Sequence, residues 1–190
     1  MKFVFTSIFS AVLLSACDQA VVPKSNNHDE VVVETTDVDA FVEAFMGYCV
    51  LTMPRLEKVA AISKLKNWEP LSSDMLIAFG PAEADSDMNG WLLKGDFSPL
   101  FIATTKAVVG AEKHKNCTIM SQVSDTDALT QKITEIVSAD AKPSLSDIES
   151  GQRHRIWNYK SLGDSFRLII MDSPELAPGV ITVSSNFVSN

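Results

Sequence analysis

Residues 153–172 read RHRIWNYKSLGDSFRLIIMD. Two runs in this stretch, 153–160 and 166–172, are rich in aromatic and branched aliphatic residues, and such runs fit the pleated surface of a sheet. Gly163 and Asp164 lie between the runs and are typical of a tight turn. The stretch therefore predicts two strands that pair antiparallel as a hairpin.

The rest of the predicted domain is a mixture of strands and helices. Similar short runs predict further strands at 91–93, 100–105, 117–123 and 180–183. Four helices are predicted from apolar residues that recur every three or four positions, and they begin near Asp37, Pro54, Ser72 and Thr126. Helices segregated from hairpin-connected strands indicate an α+β fold, with an antiparallel sheet of about six strands and helices packed mainly on one face.

The N-terminal residues have the layout of a secretory signal. Lys2 precedes an apolar run, 3–14, that is shorter than the roughly 20 apolar residues needed to span a membrane. Residues 14–17 read LSAC and resemble a bacterial lipobox, in which the Cys becomes the lipidated N-terminus. We therefore predict a lipoprotein signal peptide over 1–16, lipid on Cys17, a flexible tether over 17–37 and a single domain over 38–190.

The predicted location is the bacterial cell envelope, where lipid would hold the domain on a membrane with its bulk facing the periplasm. Asp18 follows Cys17, and an Asp at that place resembles the inner-membrane retention signal of enterobacterial lipoproteins, which favours the inner membrane over the outer. The chain has a formal net charge of -8. This charge argues against nucleic acid as a partner, because phosphate binding needs clustered Lys and Arg. An envelope protein or a small ligand remains open as the partner.

Two cysteines remain once Cys17 is assigned to lipid. Cys49 and Cys117 are expected to pair, because two cysteines in an oxidising compartment usually do. Metal ligation and a reactive thiol are the alternatives. The sequence has no CxxC motif and no His near either Cys at a metal-ligand spacing, so a structural disulfide is favoured and no cofactor is predicted.

A succession of scattered residues carries a resemblance. Cys49 ends the first predicted helix, 68–70 reads WEP, 90–92 reads GWL, and Cys117 begins a later strand. This succession is similar to that of a family of small exported or lipid-anchored proteobacterial proteins of unknown function, over roughly residues 41–137. The resemblance implies that Cys49 and Cys117 are paired and that Trp68 and Trp91 are core anchors, and it transfers no catalytic residue.

Residues 85–96 match the template of a calcium-binding loop. Asp85, Asp87, Asn89 and Asp96 stand at the ligand positions, with Gly90 at the turn. Alternating oxygen donors let a hard cation collect several ligands, but the last ligand is Asp where a longer, bidentate Glu is usual. An acidic, solvated turn is the favoured alternative.

A second candidate site lies on the first strand of the hairpin. If side chains alternate, Arg153, Arg155, Trp157 and Tyr159 share one side of that strand. Such a face can hold an anionic or aromatic ligand through guanidinium pairing and stacking. The favoured alternative is an outward face whose arginines pair with the carboxylates of this acidic chain.

The sequence contains no common catalytic signature, since HExxH, GxSxG, a P-loop and GxGxxG are all absent. Ser63 and Lys66 match Ser-x-x-Lys, but the elements that accompany it in penicillin-binding enzymes are missing. The sequence favours a binding or accessory module without catalysis. A periplasmic hydrolase with a distributed active site is the alternative, and Ser63, His114 and His154 are its candidate residues.

Overall fold

The computed structural model describes residues 35–79, 86–93 and 99–189, which belong to one unit, Val33–Asn190. Within these ranges the strands form a single antiparallel sheet of eight strands in the order β1-β2-β3-β4-β8-β7-β6-β5. The strands are β1 Glu69–Pro70, β2 Asp87–Leu93, β3 Leu100–Val109, β4 Glu112–Gln122, β5 Leu145–Glu149, β6 Gln152–Ser161, β7 Asp164–Ser173 and β8 Ala177–Ser189.

The helices of the described ranges are short. They are α1 Val38–Phe45, which continues as a π-helical segment over Met46–Val50, α2 Glu57–Leu65, α3 Ser73–Leu76, followed by a 3-10 turn over Ile77–Phe79, and α4 Thr126–Ile136. Asp37 caps α1, because its Oδ1 accepts hydrogen bonds from the backbone N–H groups of Asp39 and Ala40 at 2.9 and 3.1 Å. None of these helices has the length and apolar character that crossing a bilayer requires.

The α+β prediction of about six strands is wrong, because one eight-stranded sheet dominates the described chain. Two strands escaped prediction for a physical reason. All five residues of β5 are exposed, so no alternation of apolar and polar side chains marks it, and its pairing with β6 is what makes it a strand. β1 has only two residues, one of them Pro70, which is a residue that strands usually exclude.

One face of the sheet carries the core, and we call it the inner face. Ile102, Ile119, Val183 and Ile170 stand in register on four neighbouring strands, and all four are fully buried. Phe41 and Phe45 of α1 belong to the same apolar cluster. The disulfide between Cys49 and Cys117 links the π-helical segment to β4 on this face, which confirms the predicted pairing.

Helical segments lie on both faces of the sheet, which corrects the prediction of helices packed mainly on one face. Trp91 points to the inner face, so the next position, Gly90, presents the opposite face. A Cβ on Gly90 would lie 2.5 Å from Leu76 Cδ2 and 2.9 Å from Leu71 Cδ1. The segment around α3 therefore packs over the outer face of β2, in the space that the missing side chain leaves.

A glycine near the start of β8 gives a test of the packing between this strand and the residue that follows β4. Gly179 has a φ of +79°, and a Cβ there would lie 2.5 Å from the carbonyl oxygen of Val123. We expect Gly179→Ala to lower the free energy of unfolding by about 2 kcal/mol or more, measured by urea titration. Gly110→Ala is the matched control, because its φ is +63° but nothing lies within 4 Å of its Cβ. Equal losses in the two variants would contradict the packing.

Candidate functional site

The candidate hydrolase residues do not meet. Ser63 is buried on α2, and its Oγ donates a hydrogen bond to the carbonyl oxygen of Ala60 at 2.9 Å. His114 lies on β4 and His154 on β6, and these strands are separated by β8 and β7, so about 14 Å divides them across the sheet alone. His114 Nε2 lies 3.4 Å from Glu112 Oε2. In the described ranges, these three residues therefore do not pair a nucleophile with a base.

The four residues of the second candidate site share one face of β6, but that face points inward. Trp157 and Tyr159 are 7% and 4% exposed and belong to the apolar core. The Tyr159 hydroxyl and Ser185 Oγ lie 2.6 Å apart and share a hydrogen bond. Burial raises the pKa of Tyr159 to about 12, and the bond to Ser185 opposes this rise. Neither ring is presented to an incoming ligand.

Arg153 and Arg155 are engaged in what we call the arginine–aspartate cluster, with Asp172 of β7 and Asp127 of α4. Arg153 Nε and Nη2 donate to the two oxygens of Asp172 at 3.0 and 2.5 Å. Arg155 Nη2 lies 3.2 Å from Asp172 Oδ1, and both arginines contact Asp127 Oδ1. Thr126 Oγ1 donates to Asp172 Oδ2 at 3.0 Å. The cluster therefore fastens the first turn of α4 to the sheet.

The electrostatics of the cluster follow from its burial. Burial opposes the ionisation of Asp172, but the hydrogen bond from Arg153 and the charge of Arg155 outweigh it and lower the pKa of Asp172. Burial and repulsion from Arg153 lower the pKa of Arg155. The guanidinium charges are thus balanced by carboxylates of the protein, as the favoured alternative predicted. The face that carries them points inward, however, which corrects the predicted outward face.

The calcium-loop residues fall into two groups. Asp87 and Asn89 lie on β2, on the same side as Trp91, and Asn89 Nδ2 donates to Asp87 Oδ1 at 3.2 Å. Asp85 and Asp96 lie outside the described residues, as does Cys17. Among the residues that are described, no group of three or more His, Cys, Asp or Glu side chains is placed to hold a metal ion. The calcium loop and the lipidation site stay predictions.

Sequence reasoning missed a cleft between the C-terminal end of α2 and the strands β1 and β2. Its volume is about 620 Å³, within the range of about 300–1,000 Å³ that is typical of small-molecule sites. We call it the aromatic cleft. Its lining residues are Ala60, Ser63, Lys64, Asn67, Trp68, Pro70, Asn89 and Trp91.

The chain positions the two tryptophans by backbone hydrogen bonds. α2 ends at Leu65, and Asn67 then adopts a φ of +53°, a conformation that Asn tolerates better than most residues. The backbone N–H of Trp68 donates to Ser63 O at 2.9 Å, and Pro70 stands opposite Trp91 in the β1-β2 pair. The two indoles therefore reach the same cleft from different elements.

The polar groups of the cleft are available. The side chains of Asn67 and Lys64 are exposed and form no hydrogen bond or ion pair in the described structure. Asn89 uses one N–H on Asp87 and keeps its amide oxygen. Trp68 is partly buried, and its ring packs against Tyr48 in a T-shaped arrangement with centroids 4.9 Å apart. The cleft thus combines aromatic surface with the free amide of Asn67 and the free amide oxygen of Asn89.

No family model, no curated protein and no solved structure matches this chain. The resemblance to the proteobacterial family therefore stays a prediction. Trp91 does lie in the apolar core, and Trp68 packs against it.

Proposed function

We propose that this chain is a lipid-anchored protein of the bacterial cell envelope whose sheet domain faces the periplasm and binds a ligand in the aromatic cleft without transforming it. The observation that carries the proposal is the cleft itself. Two indoles and two amides line a concave surface, and Asn67 and Lys64 have no partner within the described chain. A concave surface that combines aromatic side chains with a few polar groups is typical of a ligand site.

The location rests on residues at the N-terminus and on the cystine. The apolar run over 3–14 and the LSAC sequence at 14–17 support export and lipid on Cys17. The disulfide between Cys49 and Cys117 is of the kind that persists in oxidising compartments. Asp18 continues to favour the inner membrane over the outer.

The alternative function, a periplasmic hydrolase, lacks a converging set of groups in the described ranges. Ser63 lines the aromatic cleft, but its Oγ is hydrogen-bonded to a backbone carbonyl. The other described lining residues include no His or carboxylate, and Lys64, the one basic residue among them, makes no hydrogen bond to Ser63. A serine nucleophile needs a base within hydrogen-bond reach. This geometry favours binding over hydrolysis.

Photochemical cross-linking in living cells tests the proposed function. A benzophenone amino acid replaces Lys64, which lines the cleft, and in a control it replaces Lys58, which is exposed on the same helix and does not line it. We expect irradiation to shift the mass of the Lys64 variant by a discrete adduct that is absent from the Lys58 variant. Adducts of equal yield at the two positions, or at neither, would count against binding in the cleft.

A further inference from the structure

The chemistry of the aromatic cleft indicates a class of ligand. We infer that the cleft takes a sugar ring of an uncharged or weakly charged oligosaccharide, and this inference rests on the proposed function. A sugar ring has an apolar C–H face that fits an indole and a rim of hydroxyl groups that both donate and accept hydrogen bonds. The partly buried ring of Trp68 supplies the accessible aromatic surface, beside Trp91, which lines the cleft but is only 9% exposed. Asn67 and Asn89 supply hydrogen-bond donors and acceptors.

The two amides stand on different elements. Asn67 follows the end of α2, and Asn89 lies on β2, so hydrogen-bonding groups reach the cleft from two separate elements. The Asn67 amide forms no hydrogen bond within the described chain. Asn89 donates one N–H to Asp87, and its amide oxygen accepts no hydrogen bond there. The two amides can therefore accept hydrogen bonds from sugar hydroxyl groups and donate hydrogen bonds to them at the same time. A purely apolar ligand would leave these groups desolvated and unpaired.

Two other classes of ligand fit less well. A peptide that adds a strand needs free backbone N–H groups at a sheet edge, and the edge beside the cleft is β1, which has two residues and contains Pro70. A polyanion needs clustered cations, but the cleft has one cationic side chain, Lys64, in a chain of net charge -8. An oligosaccharide requires neither feature.

Titration of the full-length protein in phosphatidylcholine vesicles tests the inference. Vesicles avoid detergents with sugar headgroups, which would compete for the site. The probes are a tetramer of N-acetylglucosamine and maltotetraose, which separate an N-acetylated glycan from a plain glucan. Two of the three tryptophans of the chain line the cleft, so binding of either probe is expected to change the fluorescence saturably, with matching heat in calorimetry.

Asn67→Gly is the decisive variant. Glycine keeps the positive φ of position 67 without strain and removes only the amide, so we expect roughly tenfold weaker binding. Ser150→Gly is the control, because Ser150 has a φ of +52° and lies in the turn after β5. Trp68→Ala is expected to weaken binding by a similar or larger factor, with its melting temperature measured in parallel.

The possible outcomes separate the inference from the proposed function. Saturable binding of a saccharide that Asn67→Gly weakens and Ser150→Gly does not would support the inference. Failure of both saccharides to bind at millimolar concentration, or equal affinity of the Asn67→Gly variant, would overturn it. If cross-links at position 64 persist while neither sugar binds, only the saccharide class is wrong. If neither the cross-links at position 64 nor saccharide binding is observed, the proposed function is contradicted as well.

Discussion

Replacing Cys49 and Cys117 together by alanine is expected to lower the free energy of unfolding by about 4 kcal/mol. The bridge closes a loop with a sequence separation of 68 residues, and opening it restores the conformational entropy of the unfolded chain. Both cysteines are fully buried between the π-helical segment and β4. Urea unfolding of the double variant, followed by circular dichroism, measures the loss.

Cys17→Ala is the matched control for that experiment, because it removes the third cysteine of the chain and leaves the cystine intact. We expect its free energy of unfolding to equal that of the parent protein. A double variant with the same urea midpoint as the parent would show that the cystine contributes nothing to stability. That result would contradict the expected loss of about 4 kcal/mol.

Asp172→Ala is expected to cost about 3–5 kcal/mol, because it leaves two partly buried guanidinium groups without their shared carboxylate. The Asp172 side chain is 1% exposed and accepts hydrogen bonds from Arg153, Arg155 and Thr126. Asp127→Ala is the matched control. The Asp127 side chain is 70% exposed, so its ion pairs with the same arginines are worth about 0–1 kcal/mol. Equal losses in the two variants would contradict the account of the cluster.

The effect of Asp172 depends on pH in a defined direction. Its folded-state pKa lies below the value of about 3.9 for an unfolded Asp, so its contribution is fully present above that value. The contribution is lost as the pH falls through the lowered folded-state pKa. We expect the stability difference between the parent and Asp172→Ala to be constant from pH 5 to 8 and to shrink below about pH 4. A difference that grows on acidification would show that the pKa is raised.

The sequence predicted those parts of the fold whose burial follows a period. Phe41, Phe45 and Cys49 recur every four residues, and they do form one buried stripe, over α1 and its π-helical continuation. Trp157 and Tyr159 alternate with exposed residues on β6. Where burial is absent the period is absent too, so β5 could not be found. The packing over Gly90 could not be found either, because it depends on Leu71 and Leu76 meeting a strand far along the chain.

The candidate site was harder to predict, because its parts are brought together by the fold. Alternation correctly placed Arg153 and Arg155 on one face, but it could not show that Asp172 and Asp127 neutralise them. Asn67 carried one weak signal, since Asn is enriched at the left-handed conformation that ends this helix. Nothing in the order of residues shows that Asn67 lines the same cleft as Asn89 of β2.

The central claim is that a lipid-anchored, cystine-closed domain acts in the cell envelope. Mass analysis of peptides from the protein, produced from the full-length gene and purified from its own membranes without reductant, tests it most directly. The account predicts that the chain starts at Cys17 with lipid attached and that one cross-linked peptide contains Cys49 and Cys117. A free thiol at Cys17, or residues 1–16 still present on the mature protein, would contradict it.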